Sequence, residues 1–155
     1  MAVVGGSAAG AGAERAAEEV GRELGRNGAV VVCGGLGGVM AAACRGAKAE
    51  GATTVGILPG DDRRAANQWV DIAIPTGMGE ARNALVVRTA DALIAVGGEF
   101  GTLSEIALAL KLGKPVVGIA TWDLVPPGGS PAVDPILRVA DPVMAVRTVL
   151  GLLLT

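Results

Sequence analysis

Short apolar runs recur along the chain, and segments with helical periodicity separate them. The runs predict strands near 2–5, 29–33, 53–58, 70–74, 92–96 and 115–119. Segments with Ala, Val or Leu on one side and charges on the other predict helices at about 13–26, 38–50, 79–89, 102–112 and 141–153. This alternation predicts an α/β fold, a Rossmann-like three-layer sandwich with a mostly parallel central sheet flanked by helices.

The length of 155 residues predicts a single domain over 1–155. Aromatic residues make up only 2% of the chain, so Ala, Val, Leu and Ile must build the core, and helices must pack close to the sheet. The segment 121–135 contains Trp122 and several prolines, which predicts a long surface loop. Such a loop serves either as a lid for a site or as a variable connection.

Composition excludes several classes of function. The net charge of −2 argues against a nucleic-acid partner, which needs clustered Lys and Arg on one face. The absence of histidine excludes a Ser-His-Asp or Cys-His catalytic site and any His-ligated metal, so acid–base work falls to carboxylates. Cys33 and Cys44 are too few and too far apart for a zinc motif and fit buried, reduced thiols.

The chain shows neither a basic leader nor an apolar stretch of about 18 residues. We therefore expect a cytoplasmic protein that neither enters nor crosses a membrane.

Glycine-rich turns follow the predicted strands at 5–7, 34–38, 59–62 and 97–98. The carboxyl ends of parallel strands meet at one edge of a sheet, where open α/β folds bind ligands. The spacing of these glycines fits neither the dinucleotide fingerprint nor a P-loop. The turn at 34–38 is either a tight entry into a closely packed helix or a place where a ligand approaches the backbone.

The turn GGEFGTLSE at 97–105 joins a buried strand to a helix. Free N–H groups at the start of that helix, with the positive end of its dipole, suit a phosphate. Thr102 either caps the helix or offers its hydroxyl to the ligand, and Glu105 either closes a capping box with Thr102 or faces the cleft. Arg82, in the first turn of the predicted helix 79–89, is either solvated or faces the same cleft as Glu105.

These segments together resemble a known superfamily. GGLGGVM at 34–40, GILP at 56–59, Arg82 and the turn at 97–105 are similar to the motifs of the Lonely Guy (LOG) proteins, once labelled lysine-decarboxylase-like. That superfamily has a Gly-Gly-x-x-Gly-Leu-Met loop and a Pro-Gly-Gly-x-Gly-Thr-x-x-Glu turn. An arginine precedes its final glutamate by 23 residues, which is the spacing of Arg82 and Glu105. The resemblance spans nearly the whole chain.

Characterised LOG proteins are phosphoribohydrolases, which release a free base and ribose 5-phosphate from a nucleoside 5′-monophosphate. The resemblance implies that Arg82 and Glu105 form the catalytic pair, with Glu105 stabilising the oxocarbenium-like ribose and orienting water. Arg82 would keep Glu105 ionised and steer the substrate or the departing base. Gly101 and Thr102 would receive the 5′-phosphate. The resemblance also implies a homodimer, for which the apolar run 149–154 offers buried surface unless it closes the monomer's own core.

The sequence departs from the hydrolase pattern, which has Pro-Gly-Gly where this chain has Gly97-Gly98-Glu99, and two of the departures change the charge. Glu99 replaces a glycine of the turn, and Asn83 stands where a lysine is usual, so an anion is gained and a cation lost. With VVGGS at 3–7, TGM at 76–78 and VGG at 96–98, the chain resembles a shorter branch that is similar to molybdenum-cofactor carrier proteins and, more remotely, to DprA/Smf proteins. A carrier binds its phosphorylated ligand without turning it over.

Two functions therefore stay open for a LOG-like, nucleotide-binding protein. The presence of both Arg82 and Glu105 favours a nucleoside 5′-monophosphate phosphoribohydrolase, and the alternative is a non-catalytic carrier or sensor of molybdenum cofactor or another phosphorylated, nucleotide-like molecule. Neither includes a bound metal or a resident cofactor. Besides Arg82 and Glu105, the residues expected to bind ligand are Gly6, Ser7, Gly34, Gly35, Gly38, Met78, Asn83, Gly97, Gly98, Gly101 and Thr102.

Overall fold

A computed structural model describes residues 1–129 and 134–154 of the chain. Its strands are β1 Ala2–Gly5, β2 Val31–Cys33, β3 Thr54–Leu58, β4 Ile72–Pro75, β5 Leu93–Val96, β6 Val116–Ile119 and β7 Leu137–Arg138. Its α-helices are α1 Ala11–Arg26, α2 Val39–Ala49, α3 Asn83–Thr89, α4 Phe100–Lys111 and α5 Pro142–Leu153, and short 3₁₀ helices occupy Arg63–Ala65 and Gly79–Arg82.

The described strands form one parallel sheet in the order β4-β3-β2-β1-β5-β6-β7. The chain builds the sheet outward from β1 to β4, then crosses to the other side of β1 and continues with β5. The direction of winding therefore reverses between β1 and β5, and this switch point is where open α/β sheets bind ligands.

Two apolar layers cover the two faces of the sheet. Alternate residues of the central strands point to opposite sides. Val3 and Ile94 pack with α1, α2 and α5 on one face, whereas Val4 and Leu93 pack with α3 and α4 on the other. The predicted Rossmann-like three-layer α/β sandwich is confirmed.

Helices α1 and α2 touch through glycines. A Cβ atom on Gly21 would lie 1.9 Å from the carbonyl oxygen of Ala43, and one on Gly46 would lie 1.9 Å from that of Glu18. Neither position has room for a larger residue. This contact is the close packing that a core with few aromatic residues requires.

The structure differs from the sequence prediction at several elements, three of which follow here. Strand β7 was not predicted, because two residues with exposed side chains carry no periodic signal. The predicted helix 79–89 begins as the 3₁₀ turn Gly79–Arg82. Helix α4 begins at Phe100, two residues before its predicted start.

The predicted surface loop 121–135 has no helix or strand in its described residues, and 130–133 lie outside the described part. Of the apolar run 149–154, Val149 belongs to the core, whereas Leu153 and Leu154 are exposed. Among the described residues, no helix is both long and apolar enough to cross a membrane.

Candidate functional site

A cavity of about 270 Å³ opens at the switch point, beyond the carboxyl ends of β1, β2 and β5. The loops after these three strands form its walls, and the turn before α3 closes one side. Eight of the predicted site residues line it: Gly6, Ser7, Gly34, Arg82, Asn83, Gly101, Thr102 and Glu105. The fold therefore brings together predicted site residues from four separate segments of the chain.

Five predicted residues do not line this cavity. Gly35 and Gly38, both at positive φ, shape the loop after β2: a Cβ on Gly38 would lie 2.3 Å from the carbonyl oxygen of Gly6. Met78 is exposed to solvent. Gly97 and Gly98 line a separate cavity beside β6.

Further lining residues were not among the predicted site residues: Val4, Gly5, Leu36, Met40, Glu80 and Glu99. Leu36 and Met40 lie within the motif at 34–40, so that motif could have indicated them. Nothing in the local pattern around Glu80 distinguishes it from a surface glutamate. Glu99, the residue that departs from the hydrolase motif, contributes to the wall, so the cavity holds three glutamates and one arginine among its lining residues.

Arg82 is buried, with 9% of its surface exposed. Its Nε donates a 2.7 Å hydrogen bond to the carbonyl oxygen of Ile57 in β3, and its Nη2 donates a 3.3 Å bond to that of Gly34, just after β2. Its Nη1 donates to the side-chain oxygen of Asn83. Three of the five N–H groups of the guanidinium thus donate to protein acceptors.

Asn83 connects Arg82 to helix α4. Its Oδ1 accepts from Arg82, and its Nδ2 donates a 3.2 Å hydrogen bond to Oγ of Ser104. Ser104 in turn donates a 2.6 Å bond to the carbonyl oxygen of Gly101. A lysine at position 83 could not accept from Arg82, so the asparagine links the two elements through its carbonyl oxygen.

Glu105 lies in the same cavity and is 7% exposed. Burial raises the pKa of its carboxyl group to about 7, and the nearby positive charge of Arg82 offsets only part of that effect. Arg82 and Glu105 face one cavity but form no ion pair within 4.0 Å, although the structure describes both. A substantial fraction of Glu105 is therefore protonated at neutral pH.

The start of α4 presents backbone donors at the cavity. The first bond along this turn runs from the N–H of Leu103 to the carbonyl oxygen of Glu99, so the N–H groups of Phe100, Gly101 and Thr102 precede it and have no helical partner. Thr102 makes no capping bond because the helix begins two residues earlier. The capping-box alternative for Thr102 and Glu105 is therefore wrong.

A buried thiol pair lies beneath the floor. Cys33 and Cys44 are both fully buried, and their Sγ atoms are 3.5 Å apart as free thiols. The N–H of Gly35 donates a 3.3 Å bond to Cys33 Sγ. The prediction of buried, reduced cysteines is consistent with this placement.

The parallel sheet, the cavity at its switch point and the donors at the start of α4 define a Rossmann-like domain with a polar cleft at the carboxyl edge of its sheet. The chain belongs to the SLOG cluster4 family, whose model matches residues 1–142. This finding confirms the resemblance to the LOG superfamily and places the chain in a particular branch of it.

The structure is similar to the molybdenum cofactor binding protein from Rippkaea orientalis, with a TM-score of 0.88 and 34% identity over 99% of this chain and 96% of the other. It is also similar to the molybdenum cofactor carrier protein of Chlamydomonas reinhardtii, with a TM-score of 0.83 and 33% identity over 99% and 97% of the two chains. An uncharacterised protein of Archaeoglobus fulgidus is 50% identical over 105 residues, which span 68% of this chain and 69% of that one.

A more distant likeness extends to DNA processing protein A from Helicobacter pylori. The TM-score is 0.69 at 20% identity, over 97% of this chain and 79% of the other. At this identity the likeness shows the shared fold alone.

Proposed function

We propose that this protein is a non-catalytic carrier that binds a phosphorylated pterin, with molybdenum cofactor as its ligand. Two relatives that match almost the whole chain at 33% identity or more are a binding protein and a carrier of that cofactor. The likeness includes the loops that form the cavity, because the matched region covers 99% of the chain.

The hydrogen bonding of Arg82 is the observation that carries this proposal. In the hydrolase mechanism implied by the resemblance, Arg82 keeps Glu105 ionised so that the carboxylate can stabilise positive charge on the ribose. Here the guanidinium donates to Ile57, Gly34 and Asn83 instead. Burial dominates the pKa of Glu105 and raises it to about 7, so at neutral pH the charged form that the reaction needs is populated together with the neutral acid, instead of being the dominant form as in an ordinary glutamate.

The same features suit binding without turnover. The phosphate of the ligand lies at the N–H groups of Gly101 and Thr102, where the helix dipole favours an anion. A protonated Glu105 donates a hydrogen bond to a ligand oxygen and adds no negative charge beside the phosphate. Glu99 lines the cavity but is exposed, so water screens its repulsion of an anion.

A phosphoribohydrolase is the second candidate, and one observation favours it. Glu105 is a buried carboxyl with a raised pKa in a cleft, and such groups are frequent at catalytic sites. At neutral pH part of the population is ionised. The two candidates make different predictions for the variant Glu105→Gln, which keeps the shape of the side chain and removes its charge.

The experiment compares wild type with Glu105→Gln in two assays. Both proteins are mixed anaerobically with molybdenum cofactor released from a molybdoenzyme, passed through a desalting column and analysed for bound molybdenum and pterin. Both are also incubated with a panel of nucleoside 5′-monophosphates and analysed for free base and ribose 5-phosphate. If the protein is a carrier, both wild type and Glu105→Gln retain the cofactor, and neither releases free base.

Release of base by wild type but not by Glu105→Gln would establish the hydrolase and overturn the carrier. Failure of wild type to retain the cofactor would also contradict the carrier. A boiled sample and a protein-free sample set the background for each assay.

We further propose that the protein acts as a homodimer in the cytoplasm. The exposed side chains of Leu153 and Leu154 continue the apolar run that begins with the buried Val149. Exposed leucines at the end of a helix lower the free energy when a second copy covers them. This surface supports a symmetric contact through α5.

A further inference from the structure

Phe100 is unusual in its exposure. It is the only phenylalanine of the chain, and 78% of its surface is accessible although it stands at the first position of α4. Leaving a phenyl ring in water forgoes a stabilisation of roughly 1.5–3 kcal/mol that burial would give. The position of the ring therefore calls for an explanation outside the packing of the domain.

A second aromatic side chain holds Phe100 in place. The ring of Trp122 lies 5.4 Å from that of Phe100, centroid to centroid, with a tilt of 38°. The indole N–H of Trp122 donates a 3.1 Å hydrogen bond to the carbonyl oxygen of Glu99. The side chain of Arg138 donates to the carbonyl oxygen of Trp122. We call Phe100 and Trp122 the aromatic shelf.

The aromatic shelf borders the candidate site. Phe100 lies between Glu99 and Gly101, and both of these neighbours line the cavity at the switch point. Trp122 lines the neighbouring cavity of about 440 Å³, together with Gly97, Gly98, Ala120, Thr121 and Asp123. The shelf thus stands between the donors at the start of α4 and a second empty volume.

The backbone near the shelf is strained. Ala120 has a φ of 46°, the only positive φ at a residue other than glycine in the described part of the chain. This left-handed conformation costs an alanine roughly 1–2 kcal/mol. It directs the chain from β6 toward Trp122, and Oγ1 of Thr121 donates a 2.5 Å bond to the carbonyl oxygen of Gly97, which ties the two loops together. Such strain recurs at ligand sites.

We infer that the aromatic shelf stacks the planar ring system of the ligand, while the phosphate lies at the start of α4. This inference rests on the proposed function, because it assigns the ring of the same ligand to a place. The chemistry is that of a flat, nitrogen-rich heteroaromatic ring such as a pterin, whose π-face matches the exposed face of a phenyl ring. The N–H of Gly101 then binds the phosphate, and the side chain of the preceding residue, Phe100, contacts the ring.

The test uses a matched pair of variants at one position. Phe100→Leu keeps an apolar side chain and removes the ring, whereas Phe100→Tyr keeps the ring. Because the side chain is largely exposed, both proteins are expected to fold, and circular dichroism checks this. Equilibrium dialysis measures the affinity of each variant for three probes: molybdenum cofactor, 6-hydroxymethylpterin, which has the ring without a phosphate, and ribose 5-phosphate, which has a phosphate without the ring.

Stacking predicts that Phe100→Leu binds the two ring-bearing probes about 5- to 150-fold more weakly than wild type, in line with aromatic–base stacking elsewhere. The affinity of Phe100→Tyr for these probes should stay within about threefold of that of wild type, a smaller change than the loss of one stacking contact would cause. Neither variant should change the affinity for ribose 5-phosphate. As an independent readout, 6-hydroxymethylpterin should quench the emission of Trp122 in a Trp69→Phe background.

The outcomes separate the two proposals. Equal binding of the cofactor by wild type and Phe100→Leu would overturn the shelf and leave the carrier function standing. Binding of 6-hydroxymethylpterin that depends on the ring at position 100, without retention of the cofactor, would support the shelf and overturn the carrier. Binding of neither ring-bearing probe to wild type would overturn both.

Discussion

Replacing Glu105 with glutamine tests whether burial in the cavity makes the ionised carboxylate unfavourable in the folded protein. The folded protein raises the pKa of Glu105 from 4.5 to about 7, chiefly through burial. The folded state therefore binds the proton more tightly than the unfolded state does. Stability due to this group is fully present below about pH 4.5 and is lost as the pH rises toward 7.

The magnitude follows from the difference between the two pKa values. It corresponds to about 3 kcal/mol of unfolding free energy above pH 7, and the side chain is only 7% exposed, so little of this is lost to solvent screening. Glutamine does not ionise. We therefore expect Glu105→Gln to be more stable than wild type by up to about 3 kcal/mol near pH 8, and about as stable near pH 4.

The assay is urea unfolding of both proteins at several pH values from about 4 to about 8, followed by circular dichroism. The quantity of interest is the change with pH of the difference between the two proteins, since other groups titrate equally in both. Glu80→Gln, which removes an exposed carboxylate that lines the same cavity, serves as the control and should follow wild type. Parallel profiles for wild type and Glu105→Gln across this range would refute the reasoning.

Two further predictions concern the helices and the assembly. Gly46→Ala places a Cβ 1.9 Å from the carbonyl oxygen of Glu18, so we expect it to lower the unfolding free energy by about 1–3 kcal/mol. Gly12→Ala, in open space on α1, should be neutral or stabilising by up to about 1 kcal/mol. Thermal unfolding measures both effects. Equal melting temperatures for these two variants would contradict the close contact of α1 and α2. Replacing exposed Leu153 and Leu154 with lysine should convert a dimer to a monomer in light scattering, and an unchanged mass would place the contact elsewhere or show that wild type is a monomer.

The sequence was sufficient to predict the order of strands and helices through β6, because each predicted strand is an apolar run and each helix shows one apolar face. It did not predict β7, whose residues Leu137 and Arg138 lie at the edge of the sheet and pair only through the backbone. A two-residue strand with exposed side chains has no periodicity to detect. Backbone pairing at an edge is visible only once β6 is in place.

The grouping of Arg82 and Glu105 in one cavity followed from the topology and from motif spacing. The partners of Arg82 did not, since Ile57 and Gly34 accept through their backbone carbonyl groups, which every residue has. The aromatic shelf was missed for a related reason. Phe100 and Trp122 are 22 positions apart in sequence, and only the pairing of β5 with β6 brings their loops together.

The contacts of Arg82 bear on how mutants of this fold should be interpreted. By bridging the carbonyl group of Gly34 after β2 and that of Ile57 in β3, the guanidinium acts as a cross-brace between neighbouring strand ends. An alanine there would leave two buried acceptors without donors and loosen the loop, whatever the cavity does. Loss of function on replacing this arginine would therefore reflect a loosened connection between the ends of β2 and β3, and would not by itself show that the arginine is catalytic. For the same reason, the spacing of arginine and glutamate indicates this fold and does not by itself indicate a reaction.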